Sequence, residues 1–111
     1  MSLAVDVGLM EETELDRALL ESMDETLTEV FSTEFREAFY RHLETTSHIM
    51  REGVPNQLND FVSVLSKIFG SKGSLVLERA IAKRLYSKLG IGFIEKPGHT
   101  LLDYFRESKL R

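Results

Sequence analysis

Cysteine is absent from the chain. That excludes disulfides and thiolate metal sites and permits a reducing compartment. No apolar run approaches the ~18 residues that a membrane helix needs. Met1 to Met10 also lacks the basic n-region and long apolar h-region of a signal peptide. A cytoplasmic protein with no membrane contact is the expectation. Prolines number only two, and with 42% hydrophobic and 29% charged residues the composition is that of a folded globular chain and not a disordered one. At 111 residues there is room for one core and no second one.

Catalytic patterns are missing as well. No Ser/His/Asp arrangement can be assembled, and paired carboxylates occur only on one acidic helix. His42, His48 and His99 lack metal-ligand spacing, and Glu44 with His48 reads as a helix-surface pair one turn apart. The expectation is a protein that is not an enzyme and needs no metal and no cofactor.

What the chain does have is charge asymmetry behind a net charge of -4. Residues 1–34 hold ten acids against the single base Arg17, whereas residues 35–111 hold thirteen bases against eight acids. Segments so divided attract each other, within one chain or between two.

Apolar spacing predicts helices almost throughout. Residues 1–12 read as a flexible N-terminus. Residues 13–32 read as an acidic amphipathic helix with Thr13 as its N-cap and Leu15, Leu19, Met23, Leu27, Val30 and Phe31 as its apolar stripe. Residues 33–111 form the expected helical core domain. Thr33 is positioned to cap a second helix over about 34–45, carrying Phe35, Phe39 and Leu43. Gly53-Val54-Pro55 closes the following connection, with Pro55 placed as a first-turn proline. Two helices then run from Leu58 to Phe69 and from Leu75 to Leu89, hinged at Gly70-Ser71-Lys72-Gly73 with Ser74 as cap. Thr100-Leu101-Leu102-Asp103 resembles a reduced capping box that opens a last helix, with Leu101, Leu102 and Phe105 available for docking. Between them Ile91 to Ile94 is an apolar segment that tucks Phe93 or Ile94 under the fold. The expected fold is all-α, a small orthogonal or bundle-like domain of four to five helices around a central αα-hairpin.

Lys72, Arg79, Lys83, Arg84 and Lys88 make the outer side of the Leu75–Leu89 helix basic. This is the candidate interaction face. It suits a partner's acidic surface or the chain's own acidic helix, and nucleic-acid binding through phosphate contacts is the alternative. Tyr40, His42 and Glu44 are further candidates. A solvent-facing His42 suggests phosphotransfer as a third reading, but no lysine follows it to stabilise a phosphorylated imidazole. Gly70 to Ser74 precedes a helix N-terminus, where anion sites are built; two glycines in a tight interhelix turn explain it without a ligand.

The run Phe39-Tyr40-Arg41-His42-Leu43-Glu44, then Val54-Pro55, Phe61, Leu65, Ile68-Phe69-Gly70, Leu77-Glu78, Ile81 and Leu85-Tyr86-Ser87-Lys88-Leu89-Gly90 resembles a family of small archaeal helical domains, the Nitrosopumilus-type output domains. The resemblance implies an archaeal regulatory or protein-interaction output domain, alone or attached to signalling modules, with no catalytic residues. The combined expectation is a non-enzymatic interaction or regulatory domain that binds a protein partner or self-associates through its acidic helix.

Overall fold

A computed structural model describes residues 2–110, with side chains described from Glu14 to Leu110. Among these residues the fold is all-α, as expected. It comprises α1 (Ser2–Val30), α2 (Thr33–Ser47), a 3-10 helix (Arg51–Asn56), α3 (Leu58–Leu89) and α4 (Leu101–Ser108). No described helix is long and apolar enough to cross a membrane. The central element is α3, which packs most extensively against α1 and α4.

The backbone of α1 is helical from Ser2, so Thr13 lies inside the helix and does not cap it. The segment expected to be flexible, 1–12, falls outside the described side chains. Leu19, Met23 and Leu27 are wholly buried at one-turn spacing, with Leu20 beside them. Ser22 and Thr26 share that buried face without orphaned hydroxyls, because each donates back to a carbonyl one turn earlier, Ala18 at 2.7 Å and Ser22 at 2.8 Å. Two residues assigned to the stripe leave it at its end, since Val30 and Phe31 are exposed. A straight helix drifts off a four-residue repeat, and the chain is already turning toward α2.

That turn is capped by Ser32 and not by Thr33. The backbone is extended at Ser32, whose hydroxyl accepts from Phe35 N at 2.9 Å. At its far end α2 stops at His48, which adopts the left-handed conformation (φ 56°) and sends its N–H to the Leu43 carbonyl. Ile49 and Val54 are buried in the connection that follows. Pro55 stands inside the 3-10 helix and not in the first turn of α3.

The four-residue hinge is, in the structure, one residue. Only Gly70 (φ 78°, ψ 166°) departs from helical geometry within Leu58–Leu89, so Ser71, Lys72 and Gly73 are already helical. The two arms, 58–69 and 71–89, therefore meet at a kink. Ser74 is not a cap but a buried side chain of the second arm. Gly73 explains why one residue suffices: a Cβ there would stand 3.1 Å from Phe69 Cβ, so the arms approach closely just past the kink. Phe69 in turn stacks on Phe31 at 5.4 Å and lies 6.2 Å from Phe35, tying the kink to the α1–α2 junction.

The Gly70 conformation belongs to a region reserved for glycine, where side-chain-bearing residues cost about 1–3 kcal/mol. A G70A variant is expected to lose stability by about that amount in chemical denaturation. Because a Cβ at this position would meet nothing within 4 Å, the loss tests backbone conformation and not crowding.

Past Gly90, which ends α3 in the left-handed conformation, Phe93 is the residue that tucks in. Its ring meets Tyr86 edge-on at 5.4 Å and Tyr104 at 5.2 Å, while Ile94 is exposed. The capping box forms as expected: Asp103 N donates to Thr100 Oγ1 at 3.2 Å and Thr100 N to Asp103 Oδ2 at 3.0 Å. Leu101, Tyr104 and Phe105 carry α4 into the core. One cluster of buried side chains runs through 13–32 and 33–111 alike.

Candidate functional site

Five basic residues of α3 divide into two groups once α1 is in place. The α1 glutamates 21, 25 and 29 recur at one-turn spacing and lie along one flank of the second α3 arm. Arg84 pairs with Glu29 and lies 3.7 Å from Glu25, and Lys88 reaches Glu25 at 2.8 Å and Glu21 at 3.9 Å. The acidic helix thus packs against the basic face within one chain. These pairs are largely exposed and each contributes only about 0–1 kcal/mol. Their role is to set the lateral register of a helix whose burial supplies the holding energy.

The remaining cations stand further round the helix. Arg79 pairs with Glu95 at 2.7 Å. Lys72 and Lys83 are exposed and form no ion pair among the described residues. Two shallow grooves share Ala80 and Lys83, one continuing to Arg84 and Ser87 and the other to Val76, Arg79, Phe93 and Glu95. Val76 is a large apolar residue left exposed at this surface.

Tyr40, His42 and Glu44 do not converge. His42 and Glu44 are exposed, with only Thr46 Oγ1 near the imidazole, 3.4 Å from Nδ1. Glu44 and His48 form no ion pair, because α2 turns into its left-handed cap at His48. Tyr40 faces the other way and donates to Asp24 Oδ1 at 2.6 Å. Arg51 grips the same carboxylate with two nitrogens, Nη2 to Oδ2 at 2.6 Å and Nε to Oδ1 at 3.1 Å. This half-buried triad joins α1, α2 and the 3-10 helix. Burial first, then the hydrogen bond and charge of Asp24, hold the Tyr40 phenol well above its ordinary pKa, and the Asp24 hydrogen bond raises Arg51 despite its desolvation.

A measurable pH dependence follows from Tyr40. The folded phenol holds its proton more tightly than the unfolded one, which ionises near ~10. Its stabilising contribution is therefore fully present below that pH and declines as pH rises above it. Y40F is expected to be less stable than the parent, with the gap widest below pH ~10 and shrinking beyond it. Thermal midpoints of both proteins from pH 7 to the alkaline limit read this directly; a gap that stays constant would remove the phenol from the account.

Glu78 is the residue that sequence reasoning passed over as a site. It is 1% exposed, and no cation among the described residues pairs with it. Its Oε2 accepts from Ser74 Oγ at 2.6 Å, and its Oε1 accepts from the backbone N–H of Leu101, the first residue of α4, at 2.8 Å. A carboxylate from α3 thus completes the N-terminus of α4, where the helix dipole favours negative charge. The signal was legible: Glu78 falls on the same face as Leu77, Ile81, Ala82 and Leu85, one turn after a small hydroxyl residue. The far end of α4 is fastened separately. Glu107 meets Lys96 Nζ at 2.9 Å and His99 Nε2 at 2.7 Å, and those two partners, Lys96 first, hold its carboxyl below the usual range.

No group of three or more metal-ligating side chains is found among the described residues. Comparison of the chain with protein-family models, with curated proteins and with solved structures finds no match.

Proposed function

We propose that this chain is a non-enzymatic protein-interaction domain with a regulatory or adaptor role, whose contact surface is the outer face of the second α3 arm. The observation that carries the reading is the division of the basic residues. Arg84 and Lys88 are occupied by α1, while Lys83, unpaired among the described residues, lines a groove together with the exposed Val76. Exposed apolar surface rimmed by charge is what contact sites present. A cytoplasmic, signalling-output setting of the kind implied by the resemblance to Nitrosopumilus-type domains accords with such a surface, but the reading rests on the surface itself.

Nucleic-acid binding is the weaker alternative, because it draws strength from many phosphate contacts and three of the five cations are already paired with carboxylates. The test is a photo-crosslinking residue at Val76 of the full chain, exposed to extract of the source cell. A discrete protein adduct that disappears on adding K83E is the expected result. No adduct, or one indifferent to K83E, would overturn the reading.

A further inference from the structure

We infer that the outer face of the second α3 arm seats an acidic amphipathic helix of a partner protein. The inference rests on the interaction reading above and adds the chemistry of the partner. Val76, Ala80, Lys83 and Ser87 recur at spacings of four, three and four along α3 and so lie along one face of it. Ala80 and Ser87 are small, and the distance between packed helices is set by the side chains at their contact, so a second helix comes close at these two positions. Val76, 55% exposed, offers apolar contact beside them.

The charge that such a helix must carry is read from α3 itself. On the adjoining flank Arg84 and Lys88 take an amphipathic helix with glutamates at positions 21, 25 and 29, whose apolar side is buried. The outer face offers a sparser version, an unpaired lysine and a singly paired arginine beside the exposed Val76, and has no occupant among the described residues. The lysine is Lys83; the arginine, Arg79, is held only by the exposed Glu95, and such surface pairs exchange readily. A helix with acids one turn apart and a narrow apolar stripe would pair with Lys83 and Arg79 while covering Val76. A nucleic-acid backbone would leave Val76 uncovered and find few free cations.

The test titrates the isotope-labelled full chain with a synthetic acidic amphipathic peptide, about five turns long and bridged to stay helical, beside a scrambled peptide of identical composition. Amide shifts concentrated at Val76, Ala80, Lys83 and Ser87 are expected with the helical peptide alone. K83E is expected to weaken binding about tenfold or more, whereas K67E, on the first arm, leaves it within about twofold. Equal binding of the scrambled peptide, or shifts confined to Arg84 and Lys88 as α1 is displaced, would overturn the proposal. So would tighter binding of duplex DNA with steep salt dependence, which would put nucleic acid in the helix's place. If the Val76 crosslink to a partner persists while the acidic peptide fails to bind, the interaction reading stands and this partner class falls; loss of both removes both.

Discussion

Deleting residues 1–32 is expected to abolish cooperative folding. Leu19, Met23 and Leu27 are each fully buried and belong to the same core cluster as Phe61, Leu65, Ile81 and Leu85. Removing one such side chain by L27A costs about 2–5 kcal/mol, and a domain of this size holds only about 5–15 kcal/mol in total. Losing three at once, together with the Asp24 anchor of Tyr40 and Arg51, exceeds what the remainder can absorb. Circular dichroism melts of the truncated chain and of L27A measure both steps. A truncated chain that keeps its melting midpoint would show α1 to be a mere extension. Reversing charge in the ladder with E25K, by contrast, is expected to cost about 1 kcal/mol or less, because those pairs are exposed.

The second large effect is expected at Glu78. In E78A both hydrogen-bond partners stay buried while their acceptor is gone, and each orphaned group costs about 1–3 kcal/mol before the cavity is counted. The loss falls on the seam between α3 and α4, since the Leu101 N–H is one of the two polar groups bound there. E78Q separates charge from hydrogen bonding. Its carbonyl can accept from Leu101 while its amide donates to the Ser74 hydroxyl, so it is expected to stay within about 1 kcal/mol of the parent. Denaturant unfolding gives the energies, and hydrogen exchange at the Leu101 amide gives the location. If E78A lost stability while protection at Leu101 were unchanged, the clasp would lie elsewhere.

Both effects trace to residues whose spacing was visible but whose neighbours were not. The stripe of Leu19, Met23 and Leu27 is plain in the letters, as are the Thr100 capping box and the glycine at position 70, since each depends on residues within about one turn of one another. Where such local rules misled, a neighbour one residue away won: Ser32 caps α2 in place of Thr33, and one glycine makes the kink for which four residues were expected. At Ser74 the error had a different origin. A serine before a helical run reads as a cap, but the helix already runs through it, and its hydroxyl turns inward to a carboxylate.

The candidate site divides along the same line. All five cations of the basic face could be named from their spacing, yet nothing in that spacing distinguishes Arg84 from Lys83. Only the placement of α1 does, by bringing Glu25 and Glu29 more than fifty residues along the chain to one and not the other. Tyr40 likewise found its partners 16 residues back at Asp24 and, through that carboxylate, at Arg51. What the sequence by itself determined is the helical class, the core-facing stripes and the Thr100 capping box, because helix periodicity and a reciprocal cap are short-range interactions. The tertiary structure decided which charges are spent inside the fold and which remain at its surface, because Coulomb attraction and burial act between segments that are distant along the chain and become neighbours only when the core closes.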